Sequence, residues 1–117
     1  MATISIEKVH LYGKHGCYEA EATIGGHYEL NVHITTDITK AAKKDELEHT
    51  VDYESVYELC VKIFGTRHKL LESLVYKMAH SIKDSFKDIK KVRVDLAKLH
   101  PPLAGQVGKC TVSYVCK

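Results

Sequence analysis

The sequence has no tryptophan, only two prolines, and no apolar run long enough to cross a bilayer as a helix. The opening MATISIEKVH lacks the apolar centre of a secretory leader. A cytoplasmic protein is the expectation. Charge of one sign is equally scarce: 17 Lys and Arg are set against 15 Asp and Glu, a net +2 with histidines neutral. The two signs are interspersed, so there is no basic stripe for nucleic acid or for an anionic membrane. The densest charged stretch, KAAKKDELE, mixes both signs and reads as a solvated loop or short helix.

Chemical signatures are missing too. Cys17, Cys60, Cys110 and Cys116 form no CxxC pair and read as reduced packing residues. The eight histidines include no HxH and no HExxH, whereas a catalytic zinc site takes about three ligands on rigid elements. No metal and no other cofactor is expected. GxSxG is absent, and no cysteine stands out as an activated nucleophile.

What is present is strong periodicity. In TISIEKVHLYG, Ile4 and Ile6 change parity to Val9 and Leu11, which predicts a bulge near Glu7 and Lys8 that restores one inward face. HYELNVHITTDI alternates Tyr28, Leu30, Val32 and Ile34 against Glu29, Asn31, His33 and Thr35, the pattern of a half-buried antiparallel strand. Val56, Leu59, Cys60, Ile63 and Phe64 recur at helical spacing over about residues 53–64. Leu71, Leu74, Val75, Met78, Ile82 and Phe86 make a second helical stripe. KKVRVDLAK and KCTVSYVCK supply two closing strands. The order ββααββ predicts a single α+β domain over residues 1–117, a four-stranded antiparallel sheet with two helices on one face. The other face, with Glu29, Asn31, His33, Arg93, Asp95, Thr111 and Ser113, is polar enough to meet water. An open four-stranded sheet also leaves two edges able to pair with copies of itself, so a homo-oligomer is expected.

Four residues far apart in sequence are candidates for chemistry. Lys98 follows Val92, Val94 and Leu96 on the inward face of its strand, just before a double proline. Spacing alone favours a rim position from which the long stem carries the charge to water. Glu21 lies in HGCYEAEATIGG, which reads as a solvated connection with glycine-enabled turns. Asp52 stands where a helix begins and suits an N-cap, with Tyr53 an amphipathic surface ring. Glu72 sits in the first turn of the second helix, where the dipole favours a carboxylate. Such a carboxylate can also grip a flat heterocycle bearing adjacent donors.

Taken in order, GKHGCYEAEATIGG, TVDYESVYELC, LLESLVYKMAHSI and KLHPPLAG resemble the dihydroneopterin aldolases of folate biosynthesis over nearly the whole chain. The resemblance implies the tunnelling fold: ββααββ subunits joined edge to edge into a barrel, as a tetramer or a stacked octamer, with active sites at subunit interfaces. It implies a small-molecule pterin substrate anchored by Glu72, with help from the backbone at Leu71 and from Val51 and Asp52. Tyr53 would arrive from a neighbouring subunit, and Glu21 and Lys98 would flank the reacting side chain. The implied reaction is a metal-independent retro-aldol cleavage of 7,8-dihydroneopterin, with epimerase side activity at C2′. On this view Lys98 becomes a catalytic amine, braced by Pro101 and Pro102, its pKa drawn down by partial burial. The rival readings are a triphosphate epimerase using Lys14, Arg67 and Lys69, a zinc-dependent pterin synthase, and a non-catalytic pterin-binding scaffold.

Overall fold

A computed structural model describes all of residues 1–117. Strands β1 (Ala2–Gly13), β2 (Gly26–Thr36), β3 (Ile89–Leu99) and β4 (Lys109–Cys116) form one antiparallel sheet in the order β1-β2-β3-β4. Helices α3 (Tyr53–Phe64) and α4 (Leu71–Ser85) cover one face of it. This is the α+β arrangement expected from the periodicity. Of two further short helices, α2 (Thr39–Lys44) takes the short-helix reading of the mixed-charge stretch, whereas α1 (Glu19–Ile24) was not expected and occupies the connection read as solvated turns. Neither buries a residue, so neither leaves an apolar period to be read in the sequence.

The covered face carries the core. Tyr28, Leu30, Val32 and Ile34 of β2 interleave with Val92, Val94 and Leu96 of β3, and above them lie Val56, Cys60 and Phe64 of α3 and Leu74, Val75, Met78 and Ile82 of α4. Burying each of the larger aliphatic side chains contributes about 1.5–3 kcal/mol, which fixes the helices to this face. Register then follows from the pleat, because a one-residue slip would turn every one of these side chains outward.

The parity change in β1 is resolved by a bulge between Ile6 and Val9. Lys8 takes φ 57°, and its freed N–H donates to Asn31 Oδ1 at 2.8 Å. A side chain on the polar face thus satisfies the amide that the ladder leaves unpaired. Of the cysteines, Cys60 and Cys116 are buried as expected, and burial pushes the Cys60 thiol up to about 12. Cys17 and Cys110 are exposed, so they are not packing residues. Cys110 does share a strand parity with Val112 and Tyr114, but it is exposed where they are half-buried. No helix is long and apolar enough to cross a membrane.

Candidate active site

Strand pairing explains why the end of β3 is not a rim. Lys98 is hydrogen-bonded into the ladder between Tyr28 of β2 and Cys110 of β4, on the same inward face as Leu96. Its side chain is only 16 % exposed. The stem therefore runs under the connection between β1 and β2, and the ammonium meets protein groups before it meets water. The ladder on both sides is what holds Lys98 in place. The prolines lie beyond the strand end, in a hairpin loop closed by the His100 N–H donating to the Gly108 carbonyl at 2.9 Å. Pro102 instead contributes to the wall of the cleft.

Above the ammonium, β1 ends at Gly13, where any side chain would run into the Phe64 ring. The chain then turns through His15 and Gly16. Gly16 has φ 138°, and a Cβ there would fall on the carboxylate of Glu21. Glycine at this point is what lets α1 swing Glu21 onto the sheet. Glu21 Oε2 accepts a short hydrogen bond from Lys98 Nζ, and Oε1 accepts from the Tyr18 N–H at 3.4 Å. A second Lys98 hydrogen bond reaches the His15 carbonyl at 3.3 Å, which also accepts from the Tyr28 hydroxyl at 3.2 Å.

His15 is the hub of this end. It is 2 % exposed, and its ring stands edge-on to Phe64 and Tyr28. Nδ1 accepts from the His68 N–H at 3.0 Å, which leaves the other ring nitrogen carrying the hydrogen. Burial, reinforced by His68, lowers the His15 pKa, so the ring is neutral. The loop between α3 and α4 is sewn down beside it: the Gly16 N–H donates to the His68 carbonyl at 3.0 Å, and Arg67 donates to the Gly16 carbonyl at 2.8 Å.

The electrostatics correct one expectation. Burial does work against the charge on Lys98, but the Glu21 hydrogen bond together with the Tyr28 oxygen outweighs it. Lys98 therefore titrates above the ordinary lysine range, where partial burial alone predicted a fall. Its partner mirrors this: the Lys98 hydrogen bond, stronger than the opposing desolvation, holds the Glu21 carboxyl below the usual carboxylate range. At neutral pH the pair is ammonium and carboxylate. Between them and the loops opens a cleft of about 200 Å³, lined by His15, Glu21, Tyr28, Lys98, His100 and Pro102 among others.

The remaining candidates do not reach this cleft within one chain. Leu71 and Glu72 open α4, just after the loop that bonds to residues 15–17; Leu71 packs on the core and Glu72 is exposed. Val51, Asp52 and Tyr53 stand at the other end of α3, twelve residues or about 17 Å away. Val51 is buried, and Asp52 caps α3 by accepting from the Glu54 N–H at 3.0 Å. Tyr53 is 65 % exposed. The structure thus joins Glu21 to Lys98, brings Leu71 and Glu72 to the same end, and leaves Val51, Asp52 and Tyr53 apart.

Two residues of the cleft, His15 and Tyr28, escape sequence reasoning. Tyr28 reads as one more apolar residue of the β2 stripe. The available signal is positional: Tyr28 opens that stripe where Lys98 ends its counterpart, and antiparallel strands set such residues opposite each other. For metal, the one trio of possible ligands within 4.8 Å is Glu46, Glu48 and His49, mostly exposed acidic groups that line no part of this cleft.

Known proteins share this architecture. The solved dihydroneopterin aldolase of Escherichia coli, in complex with neopterin, superposes over 100 % of both chains with a TM-score of 0.91 at 23 % identity. The urate oxidase of Bacillus subtilis superposes on 97 % of this chain, using 45 % of its own, with a TM-score of 0.70 at 15 % identity. Both have the tunnelling fold. In sequence, the dihydroneopterin aldolase of Bacillus subtilis is 29 % identical over 118 residues, covering 100 % of this chain and 98 % of that protein. The family model for dihydroneopterin aldolase matches residues 4–115, from β1 through the site to β4, and the chain belongs to the dihydroneopterin aldolase family.

Proposed function

We propose that this chain, as one domain of residues 1–117, cleaves 7,8-dihydroneopterin by a metal-independent retro-aldol reaction in the cytoplasm, at a site completed by a second copy. The products are 6-hydroxymethyl-7,8-dihydropterin and glycolaldehyde. The observation that carries the reading is the Lys98–Glu21 pair lining a cleft between the β1–β2 connection and the end of β3. Breaking the C1′–C2′ bond requires loss of the 2′-hydroxyl proton while the bonding pair flows into the ring C=N. N5 gains a proton as it becomes the sink, and C1′ gains one when the ring recovers its C=N. Net, one proton moves from the 2′-oxygen to C1′.

Lys98 rests as an ammonium, so its first act is that of an acid toward N5, after which it is the amine that takes a proton back. Glu21 keeps that charge in place and faces the side-chain hydroxyls. Glu72, with the Leu71 backbone, grips the adjacent N–H donors of the amino-pyrimidine edge, a charge-assisted contact. The neighbouring copy supplies its Tyr53 hydroxyl and the backbone at Val51 and Asp52, closing the pocket against water.

Surface supports the need for that copy. The lone chain exposes 7404 Å², against about 6,400 Å² for a typical monomer of its mass. The outer edges of β1 and β4 are unpaired, and Tyr53, Tyr57 and Val61 form an exposed apolar stripe at four-residue spacing on α3. A ring of four, or two stacked rings, would cover these. The test is product analysis after incubation with 7,8-dihydroneopterin. Stoichiometric glycolaldehyde and 6-hydroxymethyl-7,8-dihydropterin are expected, and the same chromatogram reads any C2′ epimer. Pterin binding without glycolaldehyde overturns the reading.

A further inference from the structure

The rear of the cleft holds a second proton-bearing group that the cleavage scheme leaves unused. Tyr28 is 1 % exposed, with its ring edge-on to Phe64 and His15. Its hydroxyl donates to the His15 carbonyl, the same oxygen that receives Lys98 Nζ. Lys98 lies directly across the β2–β3 ladder, its nitrogen 5.7 Å from the Tyr28 ring centre. A phenylalanine would fill the same space against Phe64 and His15. The hydroxyl therefore adds nothing to packing that the ring does not already give, and burying it costs about 1–3 kcal/mol unless it is bonded. Its placement at the foot of Lys98, whose side chain is mostly withdrawn from water, calls for a use.

We propose that Tyr28 is a further positioning residue of this site: with the His15 carbonyl it forms a rear wall that holds the Lys98 ammonium toward the cleft and keeps it a proton donor. An ammonium has three hydrogens. Glu21 of α1 takes one, and the His15 carbonyl, from the connection after β1, takes another. The Tyr28 phenol on β2, bonded to the same His15 carbonyl, lies beside the ammonium and contributes to raising its pKa. The phenol itself is held protonated, because burial raises its pKa despite the nearby ammonium. His100 at the end of β3 also lines the cleft, while Arg67 and His68 act on the same loop from behind, through the Gly16 carbonyl and the His15 ring. Glu21 holds the ammonium from the cleft side, and the rear wall is what stops the flexible lysine from turning away with it.

The proposal rests on the aldolase reading for its kinetic part alone, so its test has a readout independent of turnover. Tyr28→Phe keeps the ring and removes the hydroxyl. In an NMR titration of the lysine side-chain amines, the Lys98 pKa in this variant is expected to fall below the wild-type value, since the contribution of the phenol oxygen has been lost. In the kinetic assay kcat should drop by about tenfold with KM near its wild-type value, and the alkaline limb of the kcat profile should move to lower pH. In a Lys98→Met background the same change should cost nothing further, because a residue acting through Lys98 has nothing left to act on. An unmoved Lys98 titration, or an equal loss in both backgrounds, overturns the proposal. If the wild type fails to cleave 7,8-dihydroneopterin while the titration shift is present, the substrate reading falls and the hold of Tyr28 on Lys98 stands.

Discussion

The two ends of α3 are built to opposite specifications. At the Phe64 end, side chains and loops from several elements lock around one ammonium group, and the groups that touch it are bonded to one another, with His15 Nε2 the one buried polar side-chain atom left without a partner. At the Tyr53 end, an N-cap carboxylate satisfies its own helix and a large aromatic ring stands in solvent. One end gathers charged and buried polar groups; the other presents an exposed ring and no such cluster. The difference teaches why the proposed site needs a second copy: if both ends serve one pocket, a single chain holds them a helix length apart, and edge-to-edge assembly is the economical way to join them.

The sharpest way to break this comparison is to remove the ammonium. Lys98→Ala should lower kcat by at least about a hundredfold while leaving pterin affinity nearly intact, read by stopped-flow turnover beside equilibrium binding. A variant that turns over normally would make the Phe64 end as chemically idle as the other. A complementation experiment sharpens the same contrast at smaller amplitude. Lys98→Ala and Tyr53→Ala chains, each nearly inactive alone, should regain about a quarter of wild-type activity when dissociated, mixed in equal amounts and reassembled, since one interface in four then pairs two intact halves. No recovery would mean that both residues serve the same chain.

The smallest effect concerns stability and pH. Because its folded pKa is lowered, Glu21 contributes stability that is fully present above its unfolded value near 4.5 and is lost as pH falls through the lower folded value. Lys98, raised above 10.5, contributes stability that is present below that value and is lost as pH rises through the folded one. Thermal melts of wild type against Glu21→Gln should therefore differ by a few degrees across the neutral range, and the gap should close at both extremes. A gap independent of pH would assign the difference to packing and not to the ion pair.

Much of the architecture was legible in the residues. Alternation in β2, the parity break at Glu7 and Lys8, and the stripe from Leu71 to Phe86 each report which side chains leave water, and burial is what these elements have in common. Helix α1 was not legible and α2 only as one of two readings of a charged stretch, because they bury nothing. For the site, the sequence offered Lys98 and Glu21 as separate weak candidates. It misjudged the direction of the lysine's pKa because burial can be guessed from a strand pattern, whereas a carboxylate delivered by a glycine turn 77 positions away cannot. His15 and Tyr28 stayed hidden for a related reason: Tyr28 looks like an ordinary buried ring until the ladder register sets it against Lys98, and His15 reaches Lys98 only through a loop carbonyl.

By itself, then, the order of residues determined the strands, the two long helices, the face each buries and the family to which the chain belongs, since these depend on period and local pattern. Only the tertiary structure decided that Lys98 is a charged ammonium bonded to Glu21 and to the His15 carbonyl, and that Tyr53 lies a helix length away from it. Those outcomes depend on strand register, on the handful of ångströms between groups distant in the chain, and on an electric field that no one-dimensional pattern contains.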